Sequence, residues 1–276
     1  MVGRGSDHAR STGNSVTVEA LKFAQTGCTE GDGMAAGLSW TTSERAGCMI
    51  VVVRGRLDLA ATRGLRGMLQ KCLAEQPAAL LADLSGMSLG QETALSVFTA
   101  IHQQAAVWPG TPVVFCAPRP EMADLLARQR YGPLRTCADV DEAVREVTRH
   151  GVVPPMIIDQ LVPMTGAARH ARDLATEACV RWELPDLIGP VGVVVTELVS
   201  NAVEHANTMI TLRLTLLRRY LHVAVRDGSV APPETRLPGV GSVDRGRGLL
   251  LVDSLAVNWG WLPTSDGKVV WTILAL

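Results

Sequence analysis

Three polar residues stand four apart in an otherwise apolar stretch: Glu197, Asn201 and His205, in the string Thr196-Glu-Leu-Val-Ser-Asn-Ala-Val-Glu-His-Ala206, which follows Val191-Gly-Val-Val-Val195. On a helix this i, i+4, i+8 spacing puts all three on one face. Burying a carboxylate and a carboxamide without partners costs on the order of 1–3 kcal/mol each. The stripe therefore calls for a ligand or a satisfied polar network, unless it is simply a solvated face. A second signal is Leu221-His-Val-Ala-Val-Arg-Asp227-Gly228-Ser229, a strand that delivers an Asp onto a glycine turn. A carboxylate held there can accept from an exocyclic amine such as adenine N6. A third is Asp244-Arg-Gly246-Arg-Gly248-Leu-Leu-Leu-Val252, where glycines open a helix and its free N–H groups and positive dipole end suit a phosphate. It is not the dinucleotide G-x-G-x-x-G fingerprint, because no strand precedes it.

These residues need elements to position them. At 276 residues the length prior is about two domains. Hydrophobic residues are 47% and charged residues 19% of the chain, a folded rather than a disordered composition. The 26 Lys plus Arg against 27 Asp plus Glu supply no global field toward nucleic acid or an anionic membrane. Six cysteines lie far apart without a C-x-x-C pair, which suits neither zinc nor a disulfide framework and points to a reducing cytoplasm. The apolar runs, such as Met49-Ile-Val-Val-Val53, are of strand length, well short of a membrane span. Residues 1–37, rich in Gly, Ser and Thr without a continuous apolar core, are expected to be a disordered leader.

From residue 48 short β-branched runs alternate with amphipathic stretches, the pattern of an α/β domain over residues 38–149. Strands are expected at Cys48–Arg54, Ala79–Leu84, Thr111–Ala117 and Leu134–Cys137, with helices at Leu59–Glu75, Glu92–Val107, Pro120–Arg130 and Val140–Arg149. Pro120 suits a first helical turn and Asp139 an N-cap. The proline-rich His150–Pro163 stretch breaks the periodicity, so the linker is placed at 150–160. The second domain, 161–276, reads as helices Ala167–Trp182 and Ile188–Ala206, strands Thr208–Leu216 and Leu221–Arg226, a Pro/Gly-rich loop, helix Gly248–Ala256 and a final strand Lys268–Leu274. That order makes it an α+β sandwich.

The ordered set E-x-x-x-N-A, strand-D-G, loop and G-x-G-L, with Ala171-Arg172 upstream and the Gly260 to Trp271 ending that holds Gly267-Lys268, resembles the GHKL ATPases with their Bergerat ATP-binding fold. The likeness is greatest to anti-sigma-factor serine kinases. It implies that Asn201 holds Mg²⁺ and the triphosphate and that Glu197 is the catalytic base. It further implies that Asp227 reads adenine, that Gly246 and Gly248 cradle phosphates, and that 228–245 forms a lid. His205 occupies a motif position but reads as a packed or hydrogen-bonded histidine. Two departures stand out. Asp227 is followed by Gly-Ser-Val-Ala-Pro-Pro rather than D-x-G-x-G, and Val269 stands where the family has a Thr near adenine, which implies one polar contact fewer.

In the first domain, Val53-Arg-Gly-Arg-Leu-Asp58, Leu81-Ala-Asp-Leu-Ser-Gly-Met87 and Phe115-Cys-Ala-Pro resemble the STAS domain of anti-sigma-factor antagonists. Such antagonists carry D-S-[ST]-G-L at the start of the second helix, and the partner kinase phosphorylates its first Ser. Gln91-Glu-Thr-Ala-Leu95 stands there instead, with Glu92 at the acceptor position. A carboxylate at a helix N-terminus is favourable by about 0.3–1 kcal/mol, and it carries about −1 charge where phosphoserine carries nearly −2. Together the resemblances imply an ATP- and Mg²⁺-dependent serine/threonine kinase acting on a STAS-domain antagonist in a partner-switching network, with a sigma factor and homodimerisation as further associations. The alternative is a nucleotide-sensing scaffold that transfers no phosphate. A histidine sensor kinase fits less well, because no dimerising helical hairpin with an acceptor His precedes the ATP domain.

Overall fold

A computed structural model describes residues 31–128, 134–150, 153–233 and 248–276. The first sheet has six strands, β1 (Gly31–Ala35), β2 (Leu38–Arg45), β3 (Cys48–Leu57), β4 (Ala79–Leu89), β5 (Val113–Cys116) and β6 (Arg135–Cys137), in the order β1-β2-β3-β4-β5-β6. The β1–β2 and β2–β3 pairs are antiparallel and the rest parallel. Parallel strands need crossovers, and the helices α1 (Leu59–Ala74), α2 (Ser96–Val107), α3 (Pro120–Ala127) and α4 (Val140–His150) supply them or flank the sheet. Asp58 caps α1 by accepting from the Ala61 N–H at 3.0 Å, and Asp139 accepts from the Glu142 N–H at 2.6 Å. A 3-10 turn at Glu92–Leu95 leads into α2. Leu65, Leu69, Phe98 and Ile101 pack α1 and α2 on one sheet face, while Ala143 brings α4 to the other.

Residues 31–35, expected within the leader, instead form β1, and Gly33 stands opposite Trp40 in its register. A Cβ on Gly33 would lie 2.1 Å from the Trp40 indole nitrogen, so glycine here is what lets the edge strand close. The expected linker is likewise shortened, because Met156–Leu161 forms β7. The rest of the leader lies outside the described residues.

The second sheet is antiparallel, in the order β10-β11-β9-β8-β7, with β8 at Ile210–Leu216, β9 at Tyr220–Asp227, β10 at Asn258–Pro263 and β11 at Lys268–Ala275. Three helices, α5 (Ala167–Arg181), α6 (Ile188–His205) and α7 (Gly248–Leu255), cover one face. The segment Pro185–His205 is long and apolar enough to cross a membrane by length and composition, with mean hydropathy 1.4. Here Val191, Val194, Val195, Leu198 and Val199 spend that apolarity on the core beneath them.

The opposite face of the second sheet is covered by the first domain, and one hydrophobic cluster runs through both. Leu262, Val269, Trp271 and Ile273 of β10 and β11 join Leu69, Phe98 and Trp108 of the first domain. The Trp108 and Trp271 rings stack with centroids 5.4 Å apart and planes 4° from parallel. Gly260, across from Trp271 in the β10–β11 register, makes room for the indole, since a Cβ there would sit 2.7 Å from its ring. Arg226 pairs with Glu75 at the end of α1, and Arg213 reaches the Gln76 carbonyl at 3.5 Å.

This seam is imperfectly satisfied. Trp108 Nε1, Trp271 Nε1, Arg213 Nε and His222 Nδ1 are buried without a hydrogen-bond partner among the described residues, and each such atom costs about 1–3 kcal/mol. Burial pushes His222 down to about 4 despite a bond to the Pro109 carbonyl; its other neighbours are the Tyr220 ring and Gly110. A histidine with a depressed folded-state pKa contributes stability that is complete above its unfolded value of about 6.5 and is lost as pH falls toward 4. Between pH 7.5 and pH 5 the loss is expected to be about 2 kcal/mol. Urea unfolding of wild type and His222→Gln at both pH values checks this. The variant should lose much less on acidification, and equal losses in the two proteins would refute it.

Candidate nucleotide site

The polar stripe falls on α6 as the spacing implies. Glu197 and Asn201 are half-buried one turn apart, and His205 is exposed at the helix end. The apolar residues between them are pinned in the core, so the stripe's direction is fixed by packing rather than by its own bonds. Gly248, the first residue of α7, lies directly against Glu197, and a Cβ on it would be 2.2 Å from Glu197 Oε2. The candidate base and the glycine helix start therefore share one location, and any larger residue at 248 would displace the carboxylate. A carboxylate beside a helix N-terminus is also electrostatically favoured. Gly246 and most of the expected lid lie outside the described residues.

Asp227 ends β9. Alternate residues Leu221, Val223 and Val225 lie in the core beneath α6, so Asp227 emerges on the same face of the sheet as the stripe. It is 4% exposed. Its Oδ1 accepts from Lys268 Nζ at 2.9 Å and from the Ser229 N–H at 2.8 Å. Lys268, 5% exposed, faces Asp227 directly across the β9–β11 register. Two buried opposite charges hold each other in place, and removing either would strand the other at a cost of about 3–5 kcal/mol.

The turn after Asp227 is held from both sides. The Gly228 N–H donates to Thr208 Oγ1 at 2.8 Å, and Gly267 approaches so closely that a Cβ on it would be 2.0 Å from the Asp227 carbonyl. On the far face, Arg226 bonds both Glu75 and Asp266. Arg226 lowers the Asp266 carboxyl below its usual range, chiefly by hydrogen bonding.

Sequence reasoning gave no role to Lys268, Thr208 or Arg226. A lysine heading the apolar run Lys268-Val-Val-Trp271 was the available signal, because a buried ammonium requires a partner. The expectation for Val269 is corrected. Its register partner is Arg226, and its side chain belongs to the cluster on the opposite face, against the first domain. The residue at β11's start that faces the site is Lys268, so position 269 removes no polar contact there.

Residues 39–143 match the STAS domain family, and residues 163–273 match the family described as histidine kinase-like ATPase domain. The chain carries a STAS domain followed by a GHKL-type, histidine kinase-like ATPase domain. No curated protein matches it. Among solved structures it is similar to an anti-sigma factor antagonist from Mycobacterium paratuberculosis, at 21% identity over 42% of this chain and 99% of that one, with a TM-score of 0.35. It is also similar to the Bacillus cell fate determinant SpoIIAA in its phosphorylated form, at 15% identity over 39% of this chain and 98% of that one, with a TM-score of 0.33. In the STAS domain, Gln91, Glu92 and Thr93 are exposed at the turn before α2, and Trp108 follows that helix's other end. Twelve helical residues separate the two by about 18 Å. In the ATPase domain the stripe lies on the helix-covered face, with the sheet between it and the STAS domain.

Proposed function

We propose that the protein is a Mg²⁺- and ATP-dependent serine/threonine kinase of the anti-sigma-factor type, which phosphorylates a STAS-domain antagonist within a partner-switching network. The observation that carries this reading is the meeting of Glu197 with Gly248: an acid on a core helix lies at the glycine start of the next helix. A binding-only module would need the helix start and the carboxamide but not the acid.

In this reading Asn201 offers its carboxamide oxygen as a protein ligand for Mg²⁺, a cation that takes few of them. When bound, Mg²⁺ neutralises charge on the triphosphate. The donor set fits, since a hard oxygen donor and a carboxylate share one helix face beside a glycine that leaves space for nothing larger. Glu197 accepts the proton of the incoming serine or threonine hydroxyl. Gly248 N–H and the α7 dipole face developing phosphate charge. Asp227, with Oδ1 held by Lys268 and Ser229, presents its carboxyl group to the exocyclic amine of adenine. Cys48, Cys116, Cys137 and Cys179 are free thiols among the described residues, which suits a cytoplasmic setting.

The chain's own STAS domain is the wrong substrate. Glu92 fills the acceptor position, and it lies twelve helical residues, about 18 Å, from Trp108 at the other end of α2, while Glu197 lies on the far face of the second sheet. The test is radiolabelled ATP with Mg²⁺, offered to this protein alone and with separate STAS proteins that carry a serine acceptor. Label is expected on a separate STAS protein and not on Thr93 or Ser96. Label confined to this chain, or on no protein, contradicts the reading.

A further inference from the structure

The end of β9 carries an ionic network on each face of the sheet, and the two share neighbouring residues. On the helix face Lys268 grips Asp227. On the other face Arg226 joins Glu75 of the STAS domain to Asp266, which sits in the turn between β10 and β11. That turn is closed by the Thr264 N–H donating to the Gly267 carbonyl at 2.9 Å and by Thr264 Oγ1 donating to Asp266 Oδ1 at 3.0 Å. Gly267 presses on the Asp227 carbonyl, and Lys268 follows immediately. A shift of Asp266 thus moves Gly267 and Lys268 against Asp227.

We propose that Glu75 is a positioning residue for the nucleotide site: through Arg226 and Asp266 it holds the 264–267 turn against Asp227, so that docking of the STAS domain sets the affinity for ATP. This rests on the reading of Asp227 as the base-recognising carboxylate. The seam is suited to reversible docking, because four of its buried polar atoms lack partners among the described residues and oppose the gain from its apolar contacts. Burial also pulls the Arg213 guanidinium below its usual value at the same seam. Linkage makes the effect reciprocal: if docking tightens ATP binding, ATP tightens docking by the same factor.

The experiment is calorimetric titration of Mg-ATP into the full chain as wild type, Glu75→Gln, Asp266→Asn and the double variant. The exciton-coupled circular dichroism of the stacked Trp108–Trp271 pair is recorded on each as a readout of docking. Glu75→Gln is expected to weaken ATP by at least about fivefold. Asp266→Asn, which leaves the STAS domain untouched, should weaken it similarly, and the double variant should be no weaker than the worse single one. Mg-ATP should also raise the urea concentration at which the indole couplet disappears in wild type more than in Glu75→Gln. A fall in affinity with the couplet intact, or with the couplet lost, supports the proposal. Wild-type affinity retained by Glu75→Gln overturns it and leaves the nucleotide site standing, as does full additivity of the two substitutions. Absence of binding by the folded wild type overturns both.

Discussion

Glu197→Ala is expected to lower phosphoryl transfer to a STAS-domain substrate by about 10²–10⁴-fold, the usual range for loss of a positioned general base, while Mg-ATP continues to bind. Alanine is the best helix former, and the α6 core beneath the stripe does not include residue 197, so the fold is expected to persist. Nucleotide affinity should hold or rise, because the carboxylate beside Gly248 opposes phosphate charge at the same helix start. Glu197→Gln separates proton acceptance from packing, as it keeps the shape and removes the basicity. It should lose transfer as severely. Single-turnover transfer with radiolabelled ATP, with binding measured in parallel, reads both quantities. Transfer by Glu197→Gln within about threefold of wild type would remove this residue from the role of base.

Trp108→Ala is expected to destabilise the chain by about 3–5 kcal/mol, the range for deleting a large core aromatic. The indole is 1% exposed and stacks on Trp271 across the domain boundary. Part of the loss is offset, since the substitution also removes a buried N–H that has no partner among the described residues. The damage should be concentrated at the seam. Urea unfolding would then separate into two transitions, with the indole couplet absent from the start. A single transition displaced by less than about 1 kcal/mol would mean that the cluster spanning the two domains contributes little to joining them.

Much of this architecture was legible in the residues. The helix over α6 follows from the Val191–Val199 periodicity and its polar stripe. The α1 and α2 helices follow from amphipathic runs bounded by Asp58 and by a turn. What was missed had weak local signals. β1 is glycine-rich and depends on Trp40 of its neighbour; β7 follows Pro154-Pro155; and β10, Asn258-Trp-Gly-Trp-Leu-Pro263, mixes breakers with aromatics. Such strands are specified by their partners more than by their own propensity. The chemistry divided in the same way. Glu197, Asn201, Asp227 and Gly248 stood out by type and spacing, because each is a polar or glycine residue at a break in an apolar pattern. Lys268, Arg226 and Glu75 act across strand register and across a domain seam. Register flips the face on which a side chain lies with every residue, which is why the string alone does not show that Val269 faces the first domain. Nothing in a linear string indicates that two indoles from separate domains, Trp108 and Trp271, stack on one another.

The central claim, that α6 presents a Mg-ATP site with Asn201 as its metal-holding residue, is tested most directly by calorimetric titration of ATP into the folded full-length chain with and without Mg²⁺. The expected result is saturable binding at one site that requires Mg²⁺ and is weakened at least about tenfold in Asn201→Ala, the loss of about 1.4 kcal/mol or more from one hydrogen-bonding or ligating group. No heat from wild type, or equal affinities in wild type and Asn201→Ala, would contradict it.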